Sequence, residues 1–188
     1  MGQERNKEKY VAFLRGINVG GHNKVPMAEL RKAMNKLNFE KVDTVLNSGN
    51  IIFNTQNRNI DELEKLISEH LKKTFGFAVP AMVRKYEKIR DLLISDPFKK
   101  DSLTKDQRFY ISFLRGDART EINLPWESDD KSFRIIGKSD NNIFSILDLS
   151  LSNTPKGMEA LEKHFGKDIT SRNWNTIVRI NKKTGGSR

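Results

Sequence analysis

The fold is decided around one segment, Phe13-Leu14-Arg15-Gly16-Ile17-Asn18-Val19-Gly20-Gly21-His22-Asn23-Lys24-Val25-Pro26. Residues 10–14 are continuously apolar, which predicts a short strand buried on both faces. Pro26 suits the first position of a helix, because its missing N–H needs no partner there. Apolar residues at helical spacing then predict a helix over residues 26–38. The segment therefore links a strand to a helix through a glycine loop, defined as residues 15–25.

A β-hairpin is predicted next, with strands over residues 42–46 and 51–53. The hairpin turn between them, Asn47-Ser48-Gly49-Asn50, contains the residue types that tolerate positive φ. If the first and third strands pair antiparallel at the centre of the sheet, the end of the first strand lies near the start of the third. We therefore expect the glycine loop and the hairpin turn to share one edge of the sheet.

A second helix and a fourth strand complete the first half. Asn59 is a suitable N-cap with Glu62 at the capping-box position, and Gly76 stands where a helix commonly ends. Residues 77–83 follow as a strand, which Pro80 places at a sheet edge or a bulge. The resulting order β-α-β-β-α-β is the plan of ferredoxin-like domains.

The second half repeats the first. The tetrapeptide Phe-Leu-Arg-Gly ends a predicted strand at residues 13–16 and again at residues 113–116, and similar elements follow each copy. The second copy lacks an equivalent of residues 17–21, and residues 119–126 are a weak helix or a connection. We predict an α+β protein of two tandem ferredoxin-like units, with antiparallel sheets, helices on one face and a degenerate second unit. The predicted parts are a disordered lead-in (1–9), the first unit (10–95), a linker (96–107), the second unit (108–180) and a flexible tail (181–188).

Composition and net charge indicate the cellular compartment and the kinds of ligand that the protein attracts. The chain has 188 residues, a formal net charge of +10 and no cysteine. The absence of cysteine excludes disulfides and thiol chemistry and fits a reducing cytoplasm. No signal peptide or apolar run of about 20 residues is present, so no membrane association is predicted. The basic charge attracts phosphates and nucleic acids, although a solvated basic surface is the simpler explanation of it.

The glycine loop has the parts of an anion site. Gly20 and Gly21 let backbone N–H groups approach a ligand, and the helix start adds partial positive charge. Arg15 and Lys24 supply formal charge, and Asn18 supplies a carboxamide. The alternative is that the glycines only turn the chain and the asparagines bond local backbone. The hairpin turn, with Ser48, Gly49 and Asn50, is either part of this site or simply a tight turn.

A third polar stretch, the C-terminal polar segment, covers residues 170–176. Arg172 and Asn173 can pair with a carboxylate, a phosphate or a base edge, and Trp174 can stack. Thr176 adds a hydroxyl group. The alternative is a capped helix start with Trp174 in the core and Arg172 paired to a carboxylate.

These stretches together resemble a bacterial family, domain of unknown function 1697 (DUF1697). The resemblance covers about residues 10–180 and rests on residues 10–21, 25–27, 48–50 and 170–176. It implies a duplicated ferredoxin-like protein with no established activity, and a common surface formed by the three polar stretches. The candidate positions that it implies are Arg15, Gly16, Asn18, Gly20, Gly21, Ser48, Gly49, Asn50, Arg172, Asn173, Trp174 and Thr176. We expect His22 and Lys24 to vary more within the family.

Two functional classes remain. The first is binding of a small anionic or phosphorylated ligand at the three polar stretches, ranked first because hydrogen-bonding residues cluster while basic residues are spread. The second is nucleic-acid binding, although the RNP consensus of RNA-binding sheets is absent. No catalytic motif, cofactor fingerprint or metal-ligand spacing is present, so no cofactor and no metal are predicted. A purely structural role also remains open, and the sequence gives no oligomeric state.

Overall fold

The computed structural model describes residues 7–116 and 122–186. This part of the chain is a mixed α+β protein with two antiparallel sheets and five helices. It divides into two compact units. The first unit contains the described residues up to Asp91 together with the segment that begins at Arg179, and the second contains Leu92–Val178.

The first unit has a four-stranded sheet in the order β2-β3-β1-β4. Its elements are β1 (Lys7–Leu14), α1 (Met27–Asn35), β2 (Glu40–Val45), β3 (Asn50–Gln56), α2 (Ile60–Phe75) and β4 (Ala81–Lys85), followed by the start of α3 (Tyr86–Ser95). One face of the sheet packs against α1 and α2 around buried apolar side chains such as Phe53, Leu30 and Ile67. The predicted strand buried on both faces is confirmed, because every side chain from Tyr10 to Leu14 is buried.

Several boundaries in the first unit differ from those predicted, including that of β4, which begins at Ala81 and not at residue 77. The strand β1 begins at Lys7, inside the predicted lead-in, because it pairs with β3 as far as Gln56. Pro26 is the N-cap of α1 and not its first helical residue, since its ψ of 134° is extended. A proline has the right φ for either position, so the sequence does not distinguish them.

The predicted ends of α2 are confirmed. The carboxamide oxygen of Asn59 accepts the N–H groups of Asp61 at 2.8 Å and Glu62 at 3.4 Å. Gly76 ends the helix with a φ of 80°, in the left-handed region that favours glycine. These contacts satisfy backbone groups that the helix itself leaves unbonded.

The outer N–H groups of the edge strand β4 are bonded by side chains of α2. Ser68 Oγ accepts the N–H of Ala81 at 3.0 Å, and Glu64 Oε1 accepts the N–H of Val83 at 2.8 Å. Glu64 is buried, and the same oxygen lies 3.6 Å from Arg84 Nη1. The helix therefore satisfies hydrogen bonds that a missing fifth strand would otherwise make.

The second unit has a five-stranded sheet in the order β6-β7-β8-β5-β9. Its elements are β5 (Gln107–Leu114), β6 (Trp126–Glu127), β7 (Phe133–Ser139), β8 (Asn142–Asp148), α4 (Thr154–Phe165) and β9 (Ile169–Asn173), followed by the start of α5 (Trp174–Lys183). Buried side chains of α4, including Leu161 and Phe165, pack on one face of this sheet.

Three further predictions need correction or restriction. Residues 117–121, which include part of the predicted weak helix, lie outside the described residues, and Trp126–Glu127 is a strand. The predicted linker contains Phe98, which is buried and stacks on Phe109 with ring centroids 4.2 Å apart. The predicted flexible tail begins too early, because α5 continues to Lys183 and Asn181 is buried, where it accepts a 2.6 Å hydrogen bond from Tyr86 Oη.

The two Phe-Leu-Arg-Gly segments make equivalent backbone contacts. The N–H of Leu14 donates to Gly49 O at 2.8 Å, and that of Leu114 donates to Asn141 O at 2.9 Å. The next N–H in each copy, that of Arg15 or Arg115, donates across to the loop before the last strand.

The strand register corresponds in the same way. Phe13 pairs with Asn50 and Phe113 pairs with Asn142, which are the first residues of β3 and β8. On the other side of the central strands, Arg84 of β4 and Arg172 of β9 pair with equivalent positions, residues 11 and 111.

Asp130 gives the second unit a predicted acid sensitivity. Its Oδ1 accepts hydrogen bonds from the hydroxyl groups of Ser132 and Ser128, both at 2.7 Å, which lower its pKa from 3.8 to about 2. Because the folded-state pKa is depressed, this contribution to stability is complete above about pH 4 and is lost as the pH falls toward 2. An NMR titration of the Asp130 carboxyl group is expected to show a midpoint near 2, and a midpoint near 4 would contradict these hydrogen bonds.

Candidate functional site

The tip of the glycine loop is a tight turn. The N–H of His22 donates to Val19 O at 3.1 Å, and the two residues form an isolated antiparallel bridge. Gly20 and Gly21 between them have φ values of 59° and 79°. Positive φ at both central positions is the requirement of a type I′ turn, which glycine meets without steric cost. The glycine pair therefore sets the turn.

Asn18 holds the base of this loop closed. Its Oδ1 accepts the N–H of Val25 at 2.8 Å, and its Nδ2 donates to Val25 O at 3.0 Å. The same Nδ2 donates to Asn47 O in the hairpin turn at 2.8 Å. The side chain thus joins both ends of the loop to the neighbouring turn, as the local-bonding alternative anticipated, and it positions these segments.

The hairpin turn and the glycine loop lie against each other. Gly49 accepts the N–H of Leu14, and its Cα faces the side chains of Leu14 and Ile17. A Cβ built on Gly49 would lie 2.8 Å from Leu14 Cβ and 2.8 Å from Ile17 Cδ1. Only glycine permits this approach, and the φ of 75° at Gly49 requires the same residue for a second reason.

These segments surround a cleft of about 450 Å³ in the first unit. Its lining residues are Asn18, Gly21, Lys24, Val25, Pro26, Met27 and Asn47. Three of them were candidates from the sequence, namely Asn18, Gly21 and Lys24. Sequence reasoning missed Asn47 and Met27 as lining residues, although Asn47 lies in the turn that was expected to share this edge.

The start of α1 opens onto the cleft. Pro26 and Met27 line it, and the helix has no side-chain cap. The first backbone hydrogen bond of the helix is from the N–H of Leu30 to Pro26 O, so the N–H groups of the first turn precede the helical ladder. Glu29 in this turn is paired with Lys32 Nζ at 3.0 Å. The helix start therefore presents partial positive charge toward the cleft.

Lys24 and Asn47 are the uncommitted polar side chains of the cleft. Both are exposed, and neither side chain makes a hydrogen bond or ion pair with another residue in the described part of the chain. Asn47 uses only its backbone oxygen, which accepts from Asn18. A cation and a carboxamide are therefore available to a bound molecule.

The remaining candidates in the first unit do not line the cleft. Arg15 is half-buried, and its N–H donates to Pro80 O at 2.9 Å. Ser48 Oγ accepts a 3.0 Å hydrogen bond from Asn50 Nδ2, which also donates to Val45 O at 2.8 Å. Asn50 is completely buried, so its carboxamide fixes the hairpin turn from inside.

The C-terminal polar segment belongs to the second unit and is committed to contacts within it. Arg172 is buried, and its Nη1 donates to Thr170 Oγ1 at 2.9 Å and to Ser171 O at 2.7 Å. Burial lowers the pKa of Arg172 to about 10, so the guanidinium remains charged at neutral pH. Asn173 Oδ1 accepts the N–H of Asn175 at 2.9 Å at the start of α5.

Trp174 belongs to an aromatic cluster. It packs edge-on against Phe98, with ring centroids 5.1 Å apart, and Phe98 also contacts Phe109 and Phe144. Thr176 is buried as well. These contacts agree in part with the structural alternative for this segment: Asn173 bonds an N–H at the helix start and Trp174 packs on Phe98. Trp174 is half-buried, and the hydrogen bonds of Arg172 described above go to a hydroxyl and a carbonyl group where a carboxylate was expected.

Two kinds of feature are absent from residues 7–116 and 122–186. No group of three or more histidine, aspartate and glutamate side chains could hold a metal ion in this part of the chain. No helix within the same residues is long and apolar enough to cross a membrane.

Leu46, beside the cleft residue Asn47, carries backbone strain. Its φ is 60°, and its side chain is 44% exposed. The left-handed region costs an L-residue roughly 1–2 kcal/mol, whereas asparagine tolerates it. We expect Leu46→Asn to raise the free energy of unfolding by about 1 kcal/mol in urea denaturation. Leu151→Asn, at an exposed leucine without positive φ, is the control and is expected to change it by less than about 0.5 kcal/mol.

Comparison with known proteins identifies the family. Residues 8–139 match the model of a family described as protein of unknown function, DUF1697. The chain belongs to this family. The match includes the glycine loop and the hairpin turn of this DUF1697 protein, and it ends before the C-terminal polar segment.

A solved structure is similar to the DUF1697 chain over most of its length. It is that of a conserved bacterial protein from Streptococcus pneumoniae, with 27% sequence identity and a TM-score of 0.68. The alignment covers 94% of this chain and 98% of the other. No curated protein matches the chain.

Proposed function

We propose that this protein binds a small anionic ligand in the cleft at the start of α1. The observation that carries the proposal is the combination, in one cleft, of an uncapped helix start with the uncommitted side chains of Lys24 and Asn47. Backbone N–H groups at a helix start and a lysine ammonium both favour negative charge. Asn47 would then orient the bound group through its carboxamide.

The assignment of roles differs from the sequence-based one. Asn18 and Asn50 support the cleft through hydrogen bonds to backbone, and the proposal assigns neither carboxamide to the ligand. Gly49 allows the hairpin turn to approach the loop. Arg15 and the C-terminal polar segment are not required for the proposal, because they do not line this cleft.

We also infer that the chain arose by duplication of a ferredoxin-like unit. The equivalent bonds at Leu14 and Leu114 and the equivalent register of Asn50 and Asn142 support this inference. Residues 17–21 have no counterpart directly after Gly116, where the sequence continues Asp-Ala-Arg. Two residues of the cleft lining, Asn18 and Gly21, lie in this stretch without a counterpart.

Nucleic-acid binding is the alternative, and the net charge of +10 supports it. The aromatic side chains Phe13 and Phe113 on the central strands are completely buried, so they do not offer a stacking surface of the RNA-binding type. The predicted cytoplasmic location remains a prediction.

The test is thermal unfolding with inorganic phosphate and a set of phosphorylated metabolites, followed by calorimetric titration. A ligand that binds only the folded state must raise the melting temperature. We expect Lys24→Ala to weaken binding about tenfold or more, because charge-assisted hydrogen bonds contribute roughly 1.5–3 kcal/mol. Lys65→Ala removes an exposed lysine that does not line the cleft and is expected to leave binding unchanged.

A second variant places a competing anion in the site. Pro26→Asp puts a carboxylate at the N-cap, where the observed extended backbone suits a capping residue. We expect this variant to remain folded and to lose the anion response. Unchanged binding in both Lys24→Ala and Pro26→Asp would rule out the cleft. Binding of RNA or DNA with a salt slope of several charges would favour the alternative.

A further inference from the structure

The size of the cleft is larger than a simple anion requires. Inorganic phosphate has only five non-hydrogen atoms and would leave most of this open cleft of about 450 Å³ to solvent. Cavities of about 300–1,000 Å³ are typical of sites for small organic molecules. The cleft therefore has room for a ligand with a body as well as an anionic group.

The lining of the cleft is divided between polar and apolar parts. Lys24 and Asn47 present polar groups, whereas Val25, Pro26 and Met27 contribute a continuous apolar stretch of the chain. Burial of apolar ligand surface against such side chains is favourable, since it removes that surface from water.

Two exposed apolar side chains adjoin this lining in the sequence. Val19 follows Asn18 and is 68% exposed, and Leu46 precedes Asn47. Leu46 is held at a positive φ that is unfavourable for leucine. Backbone strain of this kind persists only where the surrounding structure enforces it, and it concentrates at functional sites.

We propose that the ligand is an organic anion, a phosphate or carboxylate attached to an apolar body. Lys24 and the start of α1 bind the anionic end, Pro26 and Met27 contact the apolar body, and Asn47 bonds a polar atom near the anion. This inference rests on the proposed function, and it adds the chemical class of the ligand.

The experiment is calorimetric titration of the full chain at constant ionic strength with four probes. These are inorganic phosphate, phenyl phosphate, benzoate and benzyl alcohol. We expect phenyl phosphate to bind at least tenfold more tightly than inorganic phosphate, and benzyl alcohol to bind weakest. The comparison of phenyl phosphate with benzoate separates a phosphate site from a carboxylate site.

Two variants test separately the binding of the anionic group and the binding of the apolar body. Lys24→Gln should weaken inorganic phosphate and phenyl phosphate by the same factor and leave their ratio unchanged. Met27→Gln, of similar size, should reduce that ratio toward one and leave inorganic phosphate unaffected. Urea denaturation of both variants checks that they fold. If they do not fold, the inference is decided by the ratio of the affinities for phenyl phosphate and inorganic phosphate in the unaltered protein.

Equal affinities for inorganic phosphate and phenyl phosphate would overturn the inference that the ligand has an apolar body, and would leave the proposed anion site intact. Absence of binding for all three anions would overturn both proposals. Benzyl alcohol binding as tightly as phenyl phosphate would also overturn both, because the charge would then contribute nothing.

Discussion

Replacement of Gly49 by alanine is expected to lower the free energy of unfolding by roughly 2–5 kcal/mol. The new Cβ would lie 2.8 Å from two carbon atoms, one on Leu14 and one on Ile17, and both residues are buried. The contact with Leu14 cannot relax cheaply, since Leu14 contributes its Cβ, whereas Ile17 contributes the end of its side chain, which can shift. The φ of 75° adds the strain of an L-residue in the left-handed region.

Gly21 is a control that separates the effect of the close contacts from the effect of the positive φ. Gly21 has a similar φ of 79°, but a Cβ added there would have no other atom within 4 Å beyond its chain neighbours. Gly21→Ala should therefore cost only the conformational part, roughly 1–2 kcal/mol. Urea denaturation of both variants gives the difference directly. Equal losses at Gly49 and Gly21 would show that the loop and the hairpin turn are not in the close contact described.

Replacement of Glu64 by alanine is expected to destabilise the fold by roughly 3–5 kcal/mol. The carboxylate is 1% exposed, accepts the N–H of Val83 and lies 3.6 Å from the Arg84 guanidinium, which is 13% exposed. Its removal leaves a backbone N–H and a mostly buried positive charge without this partner. The loss should be visible as a large drop in the urea midpoint.

The double variant Glu64→Met with Arg84→Met tests whether the unpaired charge of Arg84 causes this loss of stability. Replacing both members of a buried pair by apolar residues of similar volume is often close to neutral. We expect the double variant to recover a substantial part of the stability lost in Glu64→Ala. A double variant that is as unstable as Glu64→Ala would mean that the lost hydrogen bond to Val83, and not the unpaired charge, dominates.

Local sequence patterns predicted much of the fold because their causes are local. Asn59 caps a helix with its own carboxamide, and Gly76 ends it because its φ is positive. The alternation of strands and helices in the first unit follows from apolar spacing together with such capping and turn residues. Boundaries were harder to predict, since Pro26 has a φ that suits two adjacent positions and only the extended ψ distinguishes them.

The roles of polar residues depended on contacts between distant parts of the chain. Asn18 is a plausible ligand contact by composition, yet Val25 and Asn47 use both ends of its carboxamide. Arg172 resembles an anion-binding residue, and only its burial beside Thr170 shows that the second unit uses it internally. A sequence shows which hydrogen-bonding groups exist, but their partners are determined by the fold.

The side chains that bond the outer N–H groups of β4 have a consequence for behaviour in solution. A sheet border with unbonded donors can recruit a strand from another molecule, which begins domain swapping and fibril growth. At Ala81 and Val83 those donors are already bonded to Ser68 and Glu64. Concentrated solutions of the protein should therefore resist cross-β aggregation at this border, and the same two side chains would protect partly unfolded molecules for as long as α2 stays docked.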